Sequence, residues 1–327
     1  MLRLELDELL QEVKVHDARI IGIQIPAGLR QSAREISSFF ESRGYDVIFS
    51  GDPSYGACDI ADHEMAAAGA DLLIHFGHSR MLDKFEIPVI YWDVKDDISI
   101  KEVLSSNISK IRSLGDKVGL ATTVQHVHKL GEAAEFLRAE GMVVQIGGPG
   151  SRASYPGQVL GCSFEAIEDL DVDFYVYIGT GYFHPIGISL STDKEVLYCD
   201  PYLGTCVSID DERNKILKKR YAMMSKARDK RDFAILISTK RGQNRYEQAL
   251  YIKKLLKKNG KSCQLIFAEE INKYLVQDFD FEAYIVAACP RIAIDDAPLF
   301  DKPVLTVAET EIMFNNNDYV FDEIRKI

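Results

Sequence analysis

Ile20-Ile21-Gly22-Ile23-Gln24-Ile25-Pro26-Ala27-Gly28-Leu29 is a short apolar strand that runs into a Pro/Gly turn, and Arg30–Ser42 behind it has a helical pattern. A second strand at Asp46–Ser50, a helix near Ile60–Ala68 and a third strand at Asp71–Phe76 complete the unit. The order returns as Val118–Ala121, Lys129–Glu140, Met142–Ile146, Ser163–Asp169 and Asp173–Ile178. It returns again as Asp232–Ser238, Arg245–Asn259, Ser262–Phe267, Glu269–Val276 and Ala283–Ala287. Short strands rich in Val, Ile and Leu, joined by helices, predict parallel sheets covered on both faces and linked by right-handed crossovers. The expected fold class is α/β: three repeated, small, doubly wound domains of about 100 residues each, over 1–98, 99–212 and 213–327.

At 327 residues and 46% hydrophobic, the chain can bury more than one core. It has no apolar run long enough to cross a bilayer, so no membrane contact is expected. The start, Met1-Leu2-Arg3-Leu4-Glu5, mixes charge with leucine and lacks a signal-peptide pattern; a cytoplasmic protein is expected. A net charge of −11 with no dense Lys/Arg block argues against direct binding of nucleic acid. The six cysteines are expected as thiols, as in a reducing compartment. An amphipathic helix is expected at Ser99–Leu114. Asp210–Arg231, with Ile216, Leu217, Tyr221 and Met224 at helical spacing, reads as a solvated connector. The tail, Glu309–Ile327, is expected to pack back on a neighbouring unit.

Cys58 and Cys162 occupy one position of the repeat. Each follows a Gly-containing turn, in Tyr55-Gly56-Ala57-Cys58 and Gln158-Val159-Leu160-Gly161-Cys162, and each reads as the approach to a helix whose N-terminus favours a thiolate. Cys289, in Ala287-Ala288-Cys289-Pro290-Arg291, lies just past the third strand of its unit. Loops beyond the carboxyl ends of parallel strands are where such sheets place ligands. Three thiols from three units, arranged with pseudo-threefold symmetry about one centre, suit an iron–sulfur cluster with one iron left open. The plainer alternative for each is a small buried hydrophobe.

Cys263 lies within a strand and reads as core. Cys199 and Cys206 form a C-x6-C pair whose spacing is not a recognised metal clip. His63 beside Cys58, the pair His75 and His78, and the pair His126 and His128 are possible zinc ligands, but no H-E-x-x-H or paired C-x-x-C accompanies them. Gly179-Thr180-Gly181-Tyr182-Phe183-His184-Pro185 ends a strand with glycines that allow close ligand approach. Arg241-Gly242-Gln243-Asn244-Arg245 opens a helix whose backbone donors suit a carboxylate or phosphate.

Together with Ile25–Leu29 and Thr122-Thr123-Val124-Gln125-His126, these segments resemble the archaeal diphthamide synthase family, 2-(3-amino-3-carboxypropyl)histidine synthase, across about residues 20–310. The resemblance implies a [4Fe–4S] cluster held by Cys58, Cys162 and Cys289 in a homodimer, and an unconventional radical use of S-adenosylmethionine with an electron donor. The implied product is a 3-amino-3-carboxypropyl group on C2 of a histidine imidazole of translation elongation factor 2, the first step of diphthamide biosynthesis. Gly179, Thr180, Gly181 and His184 are the expected contacts for the cosubstrate, with Gln243 and Arg291 for its carboxylate. Quinolinate synthase, whose three related domains each give one cysteine to a Lewis-acid cluster, is a second reading. A non-enzymatic iron–sulfur sensor is a third.

Overall fold

The structure, a computed structural model, describes residues 2–315 and 317–325. Its three main sheets have one strand order in common. In the first, Ile20–Gln24 pairs in parallel with Asp46–Phe49 on one side and Leu72–Phe76 on the other, and Val89–Trp92 adds a fourth parallel strand. The third sheet repeats this with Asp232–Ser238 between Ser262–Ala268 and Ala283–Ala287, followed by Val304–Thr306. In the second, Lys117–Thr122 lies between Val143–Gln145 and Phe174–Ile178, with Glu195–Asp200 next and an antiparallel edge strand, Thr205–Ser208, outermost.

Each sheet is buried on both faces because successive side chains of a strand point to opposite sides. Phe233, Ile235 and Ile237 enter one core of the third unit, while Ala234 and Leu236 enter the other. Ile21 and Ile23 in the first unit and Val118 and Leu120 in the second do the same on their own sheets. The residue between each pair is small, being Gly22, Gly119 or Ala234. A Cβ on Gly22 would come 3.0 Å from Met65, and one on Gly119 would come 2.5 Å from the Tyr175 ring.

A carboxylate clamp also repeats. One oxygen of Asp71 accepts from the backbone N–H groups of Arg19 and Ile20, one of Asp173 from Asp116 and Lys117, and one of Glu282 from Arg231 and Asp232. In every unit, the residue that leads into the third strand thereby fixes the start of the first.

Several elements depart from expectation for local reasons. The fourth strands were not foreseen; they are three to six residues long and lack a pattern of their own. Ser163–Asp169 forms only a 3-10 turn at Glu165–Ile167. The helix expected at Glu269–Val276 starts later, at Lys273, because the Asn272 side chain accepts from the N–H groups of Tyr274 and Leu275 and caps it there. Ser99–Leu114 divides into Ile100–Ser106 and Ile108–Arg112 at Asn107, whose amide donates to the carbonyls of Val103 and Gly204.

The connector is the helix Asp210–Arg228, and it is not merely solvated. Arg220 is 1% exposed and makes a two-pronged pair with fully buried Glu309 at 2.7 and 2.5 Å. It also donates to the carbonyls of Ala293 and Val304. The tail does pack back: after the helix Val307–Asn315, the Ile324 N–H donates to the Cys162 carbonyl, and Phe321 meets Phe164 edge to face. Lys326 and Ile327 lie outside the described residues. Cys199 and Cys206, expected as thiols, are joined by a disulfide, because the hairpin register sets them directly opposite one another with Cα atoms 4.0 Å apart. Cys263 is core, as its strand position predicts.

Candidate functional site

The turn that presents each candidate cysteine is shaped largely by residues of its own unit, and the third unit's tail adds a bond from the Ile324 N–H to the Cys162 carbonyl. Gln24, at the end of the first strand, donates to the Asp59 carbonyl and accepts from the Ala61 N–H, pinning the turn that presents Cys58. The Cys162 turn is fixed by the bond between Leu160 N–H and the Ser163 carbonyl and by pairing of Val159 with Thr122. Cys289 is the N-cap of the short helix Pro290–Ile294, where Pro290 costs no hydrogen bond. Cys58 and Cys162 precede no helix directly. The helix after Cys58 begins only at Asp62, and a 3-10 turn follows Cys162. The thiolate-favouring helix terminus expected for these two is therefore absent.

All three thiols line one cavity of about 210 Å³, together with His78, Gln243 and Arg291. Burial pushes the Cys58 thiol up to about 12, nearby Cys162 adds to this, and the Gln243 amide 3.4 Å from its sulfur opposes it. Burial likewise raises Cys162, and it raises Cys289 with help from both of the other cysteines. Each free thiolate is thus disfavoured by desolvation, and for Cys58 and Cys289 also by a neighbouring thiolate. A cationic centre shared among them removes both penalties, since metal binding takes thiols as thiolates.

The donor set fits a sulfur-held cluster. Among the described residues, no three or more His, Cys, Asp or Glu side chains gather closely enough to hold a single ion. Thiolates around one zinc would lie within about 4 Å of each other, given Zn–S bonds of about 2.3 Å. A cube instead holds each thiolate on its own corner. Nη1 of Arg291 and Nε of Arg152 are buried without an acceptor, leaving cationic donors beside the thiols for an anionic group. The zinc alternative finds no support here: His63 is exposed, with Glu86 3.9 Å away, and His75 bonds to Gln24 and His78.

The remaining predicted residues divide. His184, Gln243 and Arg291 line the cavity; Gly179, Thr180 and Gly181 do not. Gly179 donates its N–H to the Cys199 carbonyl and Gly181 donates to the Tyr198 hydroxyl, so this loop shapes the entry to the helix Phe183–Ser191. Burial, then the charge of Arg291, lowers His184 to about 3 and keeps it neutral. Arg291 lies 3.9 Å over the Phe183 ring, donates to the Phe183 carbonyl and pairs with Asp295.

Contacts that sequence reasoning missed tie the three units together around the cavity. Arg152, from the second unit, donates to the Gly242 carbonyl of the third at 2.7 Å and to the Met81 sulfur of the first. Lys240 crosses from the third unit to Asp59 of the first at 2.8 Å, and Arg241 pairs with Asp62. Gln158 of the second unit donates to Ser79 of the first. The available signal for Arg152 was its place after Gly147-Gly148-Pro149-Gly150-Ser151, a glycine-rich loop beyond a strand's carboxyl end. Its partners are 71 and 90 residues away.

Comparison with known proteins agrees with this architecture. A family model described as "Putative diphthamide synthesis protein" matches residues 25–324. The 2-(3-amino-3-carboxypropyl)histidine synthase of Pyrococcus horikoshii is 43% identical over 318 residues, covering 97% of this chain and 92% of that protein. Subunit 1 of the Schizosaccharomyces pombe enzyme is 31% identical, covering 95% of this chain and 73% of the relative. The crystal structure of Dph2 from Pyrococcus horikoshii with a 4Fe-4S cluster superimposes with a TM-score of 0.93 at 42% identity, covering 99% of this chain and 94% of that one. A repeated α/β architecture, three thiols on one cavity and these likenesses lead to one conclusion: the chain belongs to the diphthamide synthesis family.

Proposed function

We propose that this protein transfers the 3-amino-3-carboxypropyl group of S-adenosylmethionine to C2 of a histidine imidazole in translation elongation factor 2, the first step of diphthamide biosynthesis. The observation that carries this reading is the convergence of Cys58, Cys162 and Cys289, one from each unit, on a single buried cavity. These residues would hold a [4Fe–4S] cluster through three of its irons. When bound and reduced, that cluster supplies the electron that breaks the bond between the sulfonium and the methionine γ-carbon, releasing methylthioadenosine.

The protein's own groups bind and orient. Gln243 donates to the Cys58 sulfur, a contact of the kind that tunes a cluster's potential. Arg291, with a buried Nη1 free of acceptors, and the Gln243 amide take the cosubstrate carboxylate. Arg291 is held in place for this by Phe183 and Asp295. Neutral His184 adds no repelling charge toward the sulfonium. Gly179, Thr180 and Gly181 act by shaping the loop that presents His184. An electron donor, a homodimer and a cytoplasmic setting go with the reading.

The test is anaerobic: cluster-loaded protein, a one-electron reductant and S-adenosylmethionine, with and without elongation factor 2. Release of methylthioadenosine and a mass gain on the elongation factor are expected. A fully loaded, reduced protein that yields neither rejects the assignment.

A further inference from the structure

The first unit contains a hydrogen-bonded relay that ends at the cavity. Gln24 Nε2 donates to the Asp59 carbonyl at 2.8 Å while its Oε1 accepts from the Ala61 N–H at 3.1 Å, which assigns the amide's orientation. His75 Nδ1, 2.8 Å from the same Oε1, must therefore be the donor. Burial lowers His75 well below its ordinary range and His78 to about 4, so both rings are neutral. With Nδ1 protonated, His75 Nε2 offers only a lone pair, and His78 Nδ1, 2.9 Å away, donates to it. His78 Nε2 is then a lone pair too. Among the described residues it has no hydrogen-bond partner, and His78 lines the cavity of the three cysteines.

That cavity has no Asp or Glu in its lining, so away from the three sulfur ligands a cationic nitrogen that enters it is met by neutral acceptors. Resting on the function proposed above, we infer that His78 Nε2 is the acceptor that recognises the α-ammonium group of S-adenosylmethionine, and that Gln24 and His75 are positioning residues that lock His78 in its accepting tautomer. Carboxylate and ammonium ends of the amino acid are thus read by different units, the carboxylate by Gln243 and Arg291 of the third and the ammonium by the first. A protein that reads both selects the intact amino acid over fragments of the cosubstrate.

The test is calorimetric binding to anaerobic protein carrying an oxidised cluster, so that no turnover intervenes. The probes are S-adenosylmethionine, its desamino analogue and methylthioadenosine. The parent is expected to favour S-adenosylmethionine over the desamino analogue by about tenfold or more, as a hydrogen bond to a charged group should. His78→Phe should bring the two within about twofold of each other while leaving methylthioadenosine affinity unchanged. His75→Leu should behave like His78→Phe, whereas His75→Gln, which keeps a donor toward Gln24 and an acceptor toward His78, should restore the preference. A parent that binds the desamino analogue as tightly as S-adenosylmethionine overturns the inference without recourse to any variant. So does a His78→Phe protein that keeps the preference or weakens methylthioadenosine equally. Loss of all S-adenosylmethionine binding by the parent would instead strike the proposed function itself.

Discussion

Burial makes each of the three cavity cysteines a poor thiolate on its own and a good ligand in company, because a shared cationic centre relieves both desolvation and mutual repulsion. Cys58→Ala, Cys162→Ala and Cys289→Ala are each expected to leave the fold intact and abolish stable cluster binding, read from visible absorbance and iron content after anaerobic reconstitution. Gly242 is as constrained as the cysteines. A Cβ there would come 2.5 Å from the Cys58 Cα and 2.6 Å from its carbonyl oxygen, backbone atoms that cannot rotate away. Gly242→Ala should therefore push the third unit's loop off Cys58 at a cost of about 1–3 kcal/mol, typical of overpacking. Thermal melts and cluster retention would both register it; an unchanged melt would contradict the close approach.

At the scale of elements, the repeated carboxylate clamps make stability respond to acid. Backbone N–H groups lower Asp71 and Glu282 below the ordinary carboxylate range. A lowered folded-state value means that the clamp stabilises above the unfolded value of about 4 and is lost as pH falls through the folded one. Asp71→Asn should thus destabilise the protein at neutral pH and flatten the decline between about pH 5 and 3 relative to the parent, measured by denaturant midpoints across pH. The connector helix depends on one buried pair. Arg220→Ala strands Glu309 without its cation and should cost about 3–5 kcal/mol, seen as a shifted unfolding midpoint. A loss below about 1 kcal/mol would show that the pair behaves like a surface contact.

The whole molecule brings its units together through long-range polar contacts as well as through an apolar core in which Ile294 and Phe321 of the third unit join Phe164 and Ile188 of the second. Arg152 reaches both other units, and the partly buried Lys240 pairs with Asp59. Arg152→Ala should keep the circular dichroism of the parent, since each sheet has its own pair of cores, yet shorten the lifetime of the loaded cluster in air. A variant as air-stable as the parent would remove Arg152 from the assembly of the site.

What the amino-acid order determined by itself was the repeat. The short apolar runs at Ile20–Gln24, Lys117–Thr122 and Asp232–Ser238, and the single thiols past neighbouring strand ends, are local patterns that survive without knowledge of packing. Tertiary structure decided the fourth strands, too short for a pattern, and the burial of Arg220, which looks like any other cation on a charge-laced helix. It also decided the disulfide between Cys199 and Cys206, set by hairpin register, and the roles of Arg152 and His78. Those last two depend on which side chains meet across more than 50 intervening residues or on the direction of a hydrogen bond, and both are properties of the assembled units rather than of neighbouring letters.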